Sequence, residues 1–276
     1  MRPWTLAFSC LLLLAACAGP LSTSPAPAPA IPAAQAVTPQ VSAEAASLRR
    51  KLATSVPQDT SCNAANAASW IDPARAELAT SSLAMERPQL LAVVDRNPRR
   101  QELCILLAEP NAPWQVIGGS RVSTGQSGRR GYFITPTGVF VHGGGIVDYR
   151  AEGTFNENHI RGLGLKGMRV WDFGWQQARK GWTRDGGYAE IRLLLHATDP
   201  DYLEPRLGRP ASKGCVRIPA AMNRFLDQYG VLDAAYNAAA PADPRIAAVL
   251  PLGQQPTPLA GDALVVIDSA QVSAPR

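Results

Sequence analysis

Histidine is scarce in this chain, with three in 276 residues, and the five cysteines never pair as Cys-x-x-Cys. No His-Glu-x-x-His occurs either, so the spacings that build zinc sites are missing and no metal is expected. Aromatic residues make up 7% and charged residues 18%. The basic residues are scattered rather than gathered into a block interleaved with aromatics, which argues against a nucleic-acid partner despite a net charge of +5. The match Gly162-x-Gly164-x-x-Gly167 to a dinucleotide fingerprint has neither a preceding strand nor a following amphipathic helix, so no cofactor is read from it.

What is present is an apolar content of 46%, enough for one catalytic domain with extensions. The chain opens with a basic residue, Arg2, and an apolar core from Leu6 to Ala16. That core is too short to cross a membrane, which takes roughly 20 residues, and reads as a leader that is removed. Leu14-Ala15-Ala16-Cys17 resembles a bacterial lipoprotein cleavage box, the alternative being an ordinary signal peptide with a chance cysteine. The resemblance implies lipidation of Cys17 and anchoring at the periplasmic face of a bacterial membrane, taken as the outer one. Residues 17–41, rich in Pro, Ala, Ser and Thr, form a tether that cannot bury a core.

Residues 42–87 are expected to form a helical extension, its second helix starting at Asp72 as N-cap with Pro73 in the first helical position. A catalytic domain over residues 88–268 and a tail over 269–276 complete the division. Strands are expected at Leu91 to Val94, Leu103 to Leu107, Trp114 to Ile117, Val139 to Val141, Met168 to Phe173 and Ala263 to Ile267. The glycine-bearing stretch from Gly143 to Gly187 carries Tyr149, Phe155, Trp171, Phe173, Trp175 and Trp182, and reads either as a flap over a groove or as a satellite core. Pro219 opens a helix with Met222, Phe225, Leu226 and Tyr229 on one face, and Gly230 ends it. Beyond Ala238 the chain reads as a Pro- and Ala-rich tail apart from the last strand.

The chemistry concentrates between His196 and Arg217. An apolar run, Ile191 to Leu195, delivers His196, and a loop with Pro and Gly leads to Ser212-Lys213-Gly214-Cys215-Val216-Arg217. A cysteine that attacks a carbonyl needs a base, converging N–H groups for an oxyanion and a field that favours thiolate. His196 is the base candidate and Gly214 permits the turn. Lys213, Arg217 and the N-terminus of the helix after Pro219 are expected to favour the thiolate. His142 is the runner-up for a site role, and His159 is expected to be exposed.

This arrangement resembles the L,D-transpeptidases, in which a His is followed after 14 to 17 residues by Ser/Thr-His-Gly-Cys, an apolar residue and Asn or Arg. Ser212, Gly214, Cys215, Val216 and Arg217 match, and Lys213 stands where the family has a second His. Val122-Ser123-Thr124-Gly125 and Thr135-Pro136-Thr137-Gly138 resemble two upstream segments of the family. The resemblance covers about residues 90–229. It implies a mainly β fold, a mixed sheet or two-sheet sandwich with one or two helices. Papain-like thiol hydrolases place Cys before His in the chain, the reverse of the order here.

By the same resemblance the substrate is a peptidoglycan stem peptide. Cys215 forms a thioester, His196 shuttles the proton, and the turn from Ser212 to Cys215 holds the oxyanion. Ser212 and Arg217 fix the site or a substrate carboxylate, and an amine on another stem or a wall-attached protein is the acceptor. The rivals are a hydrolase using water as acceptor and a non-catalytic wall-binding lipoprotein. With Cys10 leaving in the leader, Cys17 lipidated and Cys215 reactive, Cys62 and Cys104 form the expected disulfide. The alternative is that Cys104 is only a small buried hydrophobe.

Overall fold

The computed structural model describes residues 39–143 and 145–272. The leader, Cys17 and the tether as far as residue 38 lie outside the described residues. Helix α1, Pro39–Ser55, begins inside the stretch assigned to the tether, and its Ala45, Leu48 and Leu52 recur every three or four positions to form a buried stripe. Helix α2, Ala68–Ala79, starts earlier than the Asp72 cap expected, so Pro73 lies inside it. The reason is tertiary. Trp70, Ala74 and Leu78 form one buried stripe, and Trp70 joins it only if the helix reaches upstream of the proline. Burying an indole outweighs the one helical hydrogen bond that Pro73 cannot donate.

Nine strands follow among the described residues: β1 Gln89–Asp95, β2 Glu102–Ala108, β3 Gln115–Arg121, β4 Gly138–Val141, β5 Tyr149–Arg150, β6 Arg169–Arg179, β7 Tyr188–Ala197, β8 Val216–Ile218 and β9 Ala263–Ile267. Between β8 and β9 lie α3 Ala220–Gln228, α4 Ala234–Ala239 and α5 Pro244–Val249, and α6 Ser269–Val272 begins the stretch taken as a tail. The fold is mainly β, as the sequence implied, with more helix than the one or two expected. One sheet runs β3-β2-β1-β9-β4 and the other β5-β6-β7-β8. Each is mixed, through the parallel pairs β1 with β9 and β7 with β8.

The main core lies between the sheets. Leu90, Ala92 and Val94 of β1 and Leu103, Ile105 and Leu107 of β2 meet Trp171 and Phe173 of β6, Leu193 and Leu195 of β7, and Met222, Phe225 and Leu226 of α3. The opposite face of the five-stranded sheet, with Leu91, Val93, Leu106 and Val265, is covered by Trp70, Ala74 and Leu78 of α2. A sheet buried on both faces explains why β1, β2 and β9 read as continuous apolar runs instead of alternating. The helical extension therefore completes the core.

Two further corrections concern the loop and the tail. Trp171 and Phe173 belong to the core, whereas Trp175 and Phe155 are exposed, so the aromatics from Gly143 to Gly187 divide between the two readings. Beyond Ala238, Pro244 opens α5 behind Asp243, whose side chain accepts from the Arg245 N–H, and Ile246 and Val249 are buried.

Cys62, in the segment between α1 and α2, is disulfide-bonded to Cys104 of β2. Closing a loop with a sequence separation of 42 restricts the unfolded chain, a stabilisation of about 4 kcal/mol on loop entropy alone. The double substitution Cys62→Ser, Cys104→Ser should lower stability by that order. Wild type should also melt earlier with reductant than without; identical melting curves would show that the bridge contributes nothing.

Candidate active site

His196 is the next-to-last residue of β7, and Cys215 comes immediately before β8. The two strands pair in parallel with Leu195 opposite Val216 and His196 opposite Arg217. Since side chains alternate along a strand, Leu195 and Val216 enter the core while His196 and Arg217 share the other face, and Cys215 falls on that face two positions before Arg217. From a strand spacing of about 4.8 Å and a rise of about 3.3 Å per residue, the Cα atoms of Cys215 and His196 are roughly 8 Å apart, a gap their side chains can span. The same face extends onto β6, where Val170 lies opposite His196 and Asp172 opposite Leu194.

The turn before Cys215 is held from several sides. Ser212 is buried; its Oγ donates to the Cys215 carbonyl (2.6 Å) and accepts from the Gly214 N–H (3.0 Å). Both bonds lie within the turn, so Ser212 shapes the loop and its hydroxyl is not directed at a substrate carboxylate. Gly214 has φ +138°, a backbone conformation that residues with a side chain rarely adopt, so the turn calls for glycine. Thr135 Oγ1 donates to the Gly214 carbonyl (2.7 Å) and accepts from the Gly125 N–H (2.8 Å). Ser123 and Arg217 exchange two backbone hydrogen bonds, at 3.0 and 2.9 Å. The two upstream Thr/Gly segments thus brace the nucleophile loop from its outer edge.

His196 is buried, and its Nδ1–H donates to the Ala197 carbonyl (2.6 Å), which leaves Nε2 with the free lone pair. Burial lowers its pKa to about 4; the Ala197 carbonyl works against this and the charge of Arg217 adds to it. For Cys215 burial pushes the thiol pKa up and Asp172 adds to this, against downward pulls from the Leu194 backbone and Arg217. The resting pair at neutral pH is therefore thiol and neutral imidazole. The expected field favouring thiolate is corrected in two ways. Lys213 is exposed and lines a neighbouring cleft. The start of α3 is separated from the sulfur by β8, and its first N–H, that of Ala220, donates to Glu204 (2.9 Å).

Sequence reasoning missed Asp172 and Arg192. Asp172 is buried, its carboxylate is held by Arg192 Nη2 at 2.7 Å, and the Arg192 carbonyl accepts from the Cys215 thiol at 3.6 Å. The pair joins β6 to β7 beside a bulge between Asp172 and Trp175, and no local pattern marks it.

His142 is not part of this face. It is buried with Nδ1 at 3.4 Å from Asp148 Oδ2, an ion-pair separation without hydrogen-bond alignment, and its Nε2 bonds the Leu232 carbonyl. Burial alone would lower its pKa, but Asp148 and Asp233 outweigh it and raise it. One ligand atom each of His142, Asp148 and Asp233 lies within 4.8 Å of the others, a spacing that suits a cation. That charge is supplied by Arg169, whose Nη2 is 2.8 Å from Asp148 and 3.2 Å from Asp233. His159 is exposed.

The low pKa of His196 has a consequence for stability. An unfolded histidine titrates near about 6.5, so between that pH and about 4 the unfolded chain takes up a proton that the folded one refuses. The stability present at neutral pH is lost as pH falls through this window, by roughly 3 kcal/mol. His196→Gln should flatten the dependence in urea titrations; an unchanged slope would mean that His196 is not held neutral.

Comparison with curated proteins gives no match. The family model of the L,D-transpeptidase catalytic domain (YkuD) matches residues 93–236, from within β1 to within α4, and so encloses both His196 and the turn that carries Cys215. The match spans more than half of the chain, which belongs to the L,D-transpeptidase catalytic domain family.

Proposed function

We propose that this protein is a peptidoglycan L,D-transpeptidase that works through a Cys215 thioester. The observation that supports this most directly is the shared face of Cys215 and His196, with the imidazole tied through Nδ1 so that Nε2 is free to accept a proton. Because both groups rest neutral, the proton passes from Sγ to Nε2 as the sulfur attacks the carbonyl that follows the third residue of a donor stem. The tetrahedral intermediate collapses to a thioester as the imidazolium protonates the departing amine of the terminal residue. An acceptor amine then attacks, gives its proton to His196 and expels the Cys215 sulfur. Within the turn, the Ser212 N–H is bonded to Thr124 and that of Gly214 to Ser212 Oγ, so the oxyanion falls to the N–H groups of Lys213 and Cys215.

Incubation with isolated wall fragments, followed by mass spectrometry of the products, tests this reading. New cross-links or a stem joined to a protein support transfer. Only shortened stems would replace it with hydrolysis, and unchanged fragments with a non-catalytic binding role. We further propose that Cys17 is lipidated and the domain tethered at the periplasmic face of the outer membrane. Cys17→Ser should then shift the protein to the soluble fraction, and a soluble mature wild type would rule the anchor out.

A further inference from the structure

Asp172 and Arg192, which no step of the proposed reaction uses, stand beside the sulfur in the fold. Strand β6 is bulged where it passes them: Asp172 is opposite Leu194 and Trp175 opposite Arg192, so Phe173 and Gly174 together face the single residue Leu193. Gly174, at φ +76°, supplies the left-handed residue of the bulge. The regular ladder is interrupted here, and the Asp172 carboxylate bridges the interruption. Its Oδ1 accepts from the Gly174 N–H (2.9 Å) inside the bulge, while Arg192 grips it with two donors, Nε to Oδ1 at 3.0 Å and Nη2 to Oδ2 at 2.7 Å. Asp172 is buried, and its N–H donates to Asp148 (2.8 Å), so the clamp is anchored in the interior. The carbonyl of the clamped residue, Arg192, is the acceptor of the Cys215 thiol at 3.6 Å.

We propose that the Asp172–Arg192 pair positions the nucleophile: by clamping the bulge it fixes the Arg192 carbonyl, and with it the direction in which the resting thiol points relative to His196. Both residues act through the main chain of β7 and are therefore positioning residues. The role given to Cys215 rests on the transpeptidase reading above; the clamp and its contact with the sulfur do not. The titratable and charged groups around the sulfur are Tyr149 of β5, Asp172 of β6, Arg192 and His196 of β7, Arg217 of β8 and the exposed Lys213 of its own turn.

The test is acylation of Cys215 by p-nitrophenyl acetate, a small activated ester that needs no stem recognition, followed by intact mass over a range of pH. Wild type is compared with Asp172→Asn, Arg192→Gln, Arg192→Lys and the double variant Asp172→Asn, Arg192→Gln, with Cys215→Ala as background. Asp172→Asn and Arg192→Gln should both slow acylation, by roughly 10- to 100-fold, as expected for a misplaced reacting group. Loss of the Asp172 charge should meanwhile move the apparent thiol pKa down and loss of the Arg192 charge move it up. Rates that fall together while the pKa moves in opposite directions separate position from field. Arg192→Lys keeps an ion pair with Asp172 and should recover most of the rate. The double variant leaves no buried charge without a partner, so it stays folded where a single variant does not, and its loss should be no larger than that of either single change. Wild-type rates in the single variants or in the folded double variant, rates that change in opposite directions with the pKa, or no acylation of wild-type Cys215 would overturn the proposal. Thioester formation from a stem tetrapeptide is measured separately: its absence counts against the transpeptidase reading and leaves the clamp to be decided by the ester.

Discussion

Cys215→Ala should abolish thioester formation and lower turnover by roughly 10⁴-fold or more, the usual scale for removing a covalent nucleophile. The same substitution should leave the melting temperature nearly unchanged. Cys215 is only half-buried, and its sulfur meets backbone of β7 alone, the Arg192 carbonyl at 3.6 Å and the Leu194 backbone. The surrounding turn is held by Ser212, Thr135 and the Ser123–Arg217 backbone pair, none of which needs the sulfur. Chemistry and stability are thus separable at this position. Intact-mass detection of an acyl adduct on wild type but not on the variant, with matched melting curves, is the result to look for. Adduct on the variant would assign the nucleophile elsewhere, and a large drop in melting temperature would mean that the thiol is structural.

Arg169→Met should be strongly destabilising, lowering stability by about 3 to 5 kcal/mol. Arg169 is fully buried and faces Asp148 and Asp233 at once, with Asp227 Oδ1 at 3.6 Å. Methionine fills similar volume, but removes the cation that lets two carboxylates remain buried side by side. Burial alone would raise the Asp148 pKa, and His142 and Arg169 outweigh it to hold it low, whereas burial keeps that of Asp233 high. Asp148 therefore contributes stability above its unfolded pKa that is lost as pH falls through its folded one; Asp233 has the opposite sign. In the variant both carboxylates lose their partner, so the deficit should be largest at neutral pH and shrink in acid as they protonate. Adding Asp148→Asn and Asp233→Asn should recover part of the loss. A deficit that is the same at all pH values would point to a packing defect instead of an uncompensated charge. The expected effect on melting temperature, at about 2 to 4 °C per kcal/mol for a domain of this size, is readily measured.

Neither result was equally legible in the sequence. Cys215 and His196, the proposed nucleophile and base, stood out because their spacing, with Gly214 in the turn and an apolar run before His196, is a local pattern of residue types. The strands β1, β2 and β9 were legible for a related reason, since apolar runs bounded by turn residues record burial directly. The amphipathic stripe of α3 was legible too, with Met222, Phe225 and Leu226 now in the core.

Arg169 carried no such mark. Its partners lie 21 and 64 residues away, and only the packing of β6 against the loop before β5 and the start of α4 brings those charges together. The same holds for Asp172 with Arg192, and for Thr135, which reaches 79 residues along the chain to the Gly214 carbonyl. Which atoms are available for chemistry here could be read from the chain, because residue type and spacing are its own properties. Their protonation follows from packing. Whether a thiol rests as thiolate, or an imidazole as a neutral base, depends on how much water is excluded and which charges remain close. Both quantities arise only when distant segments pack: burial outweighs the pull of Arg217 on Cys215, and Lys213, two residues from the sulfur, points into the neighbouring cleft.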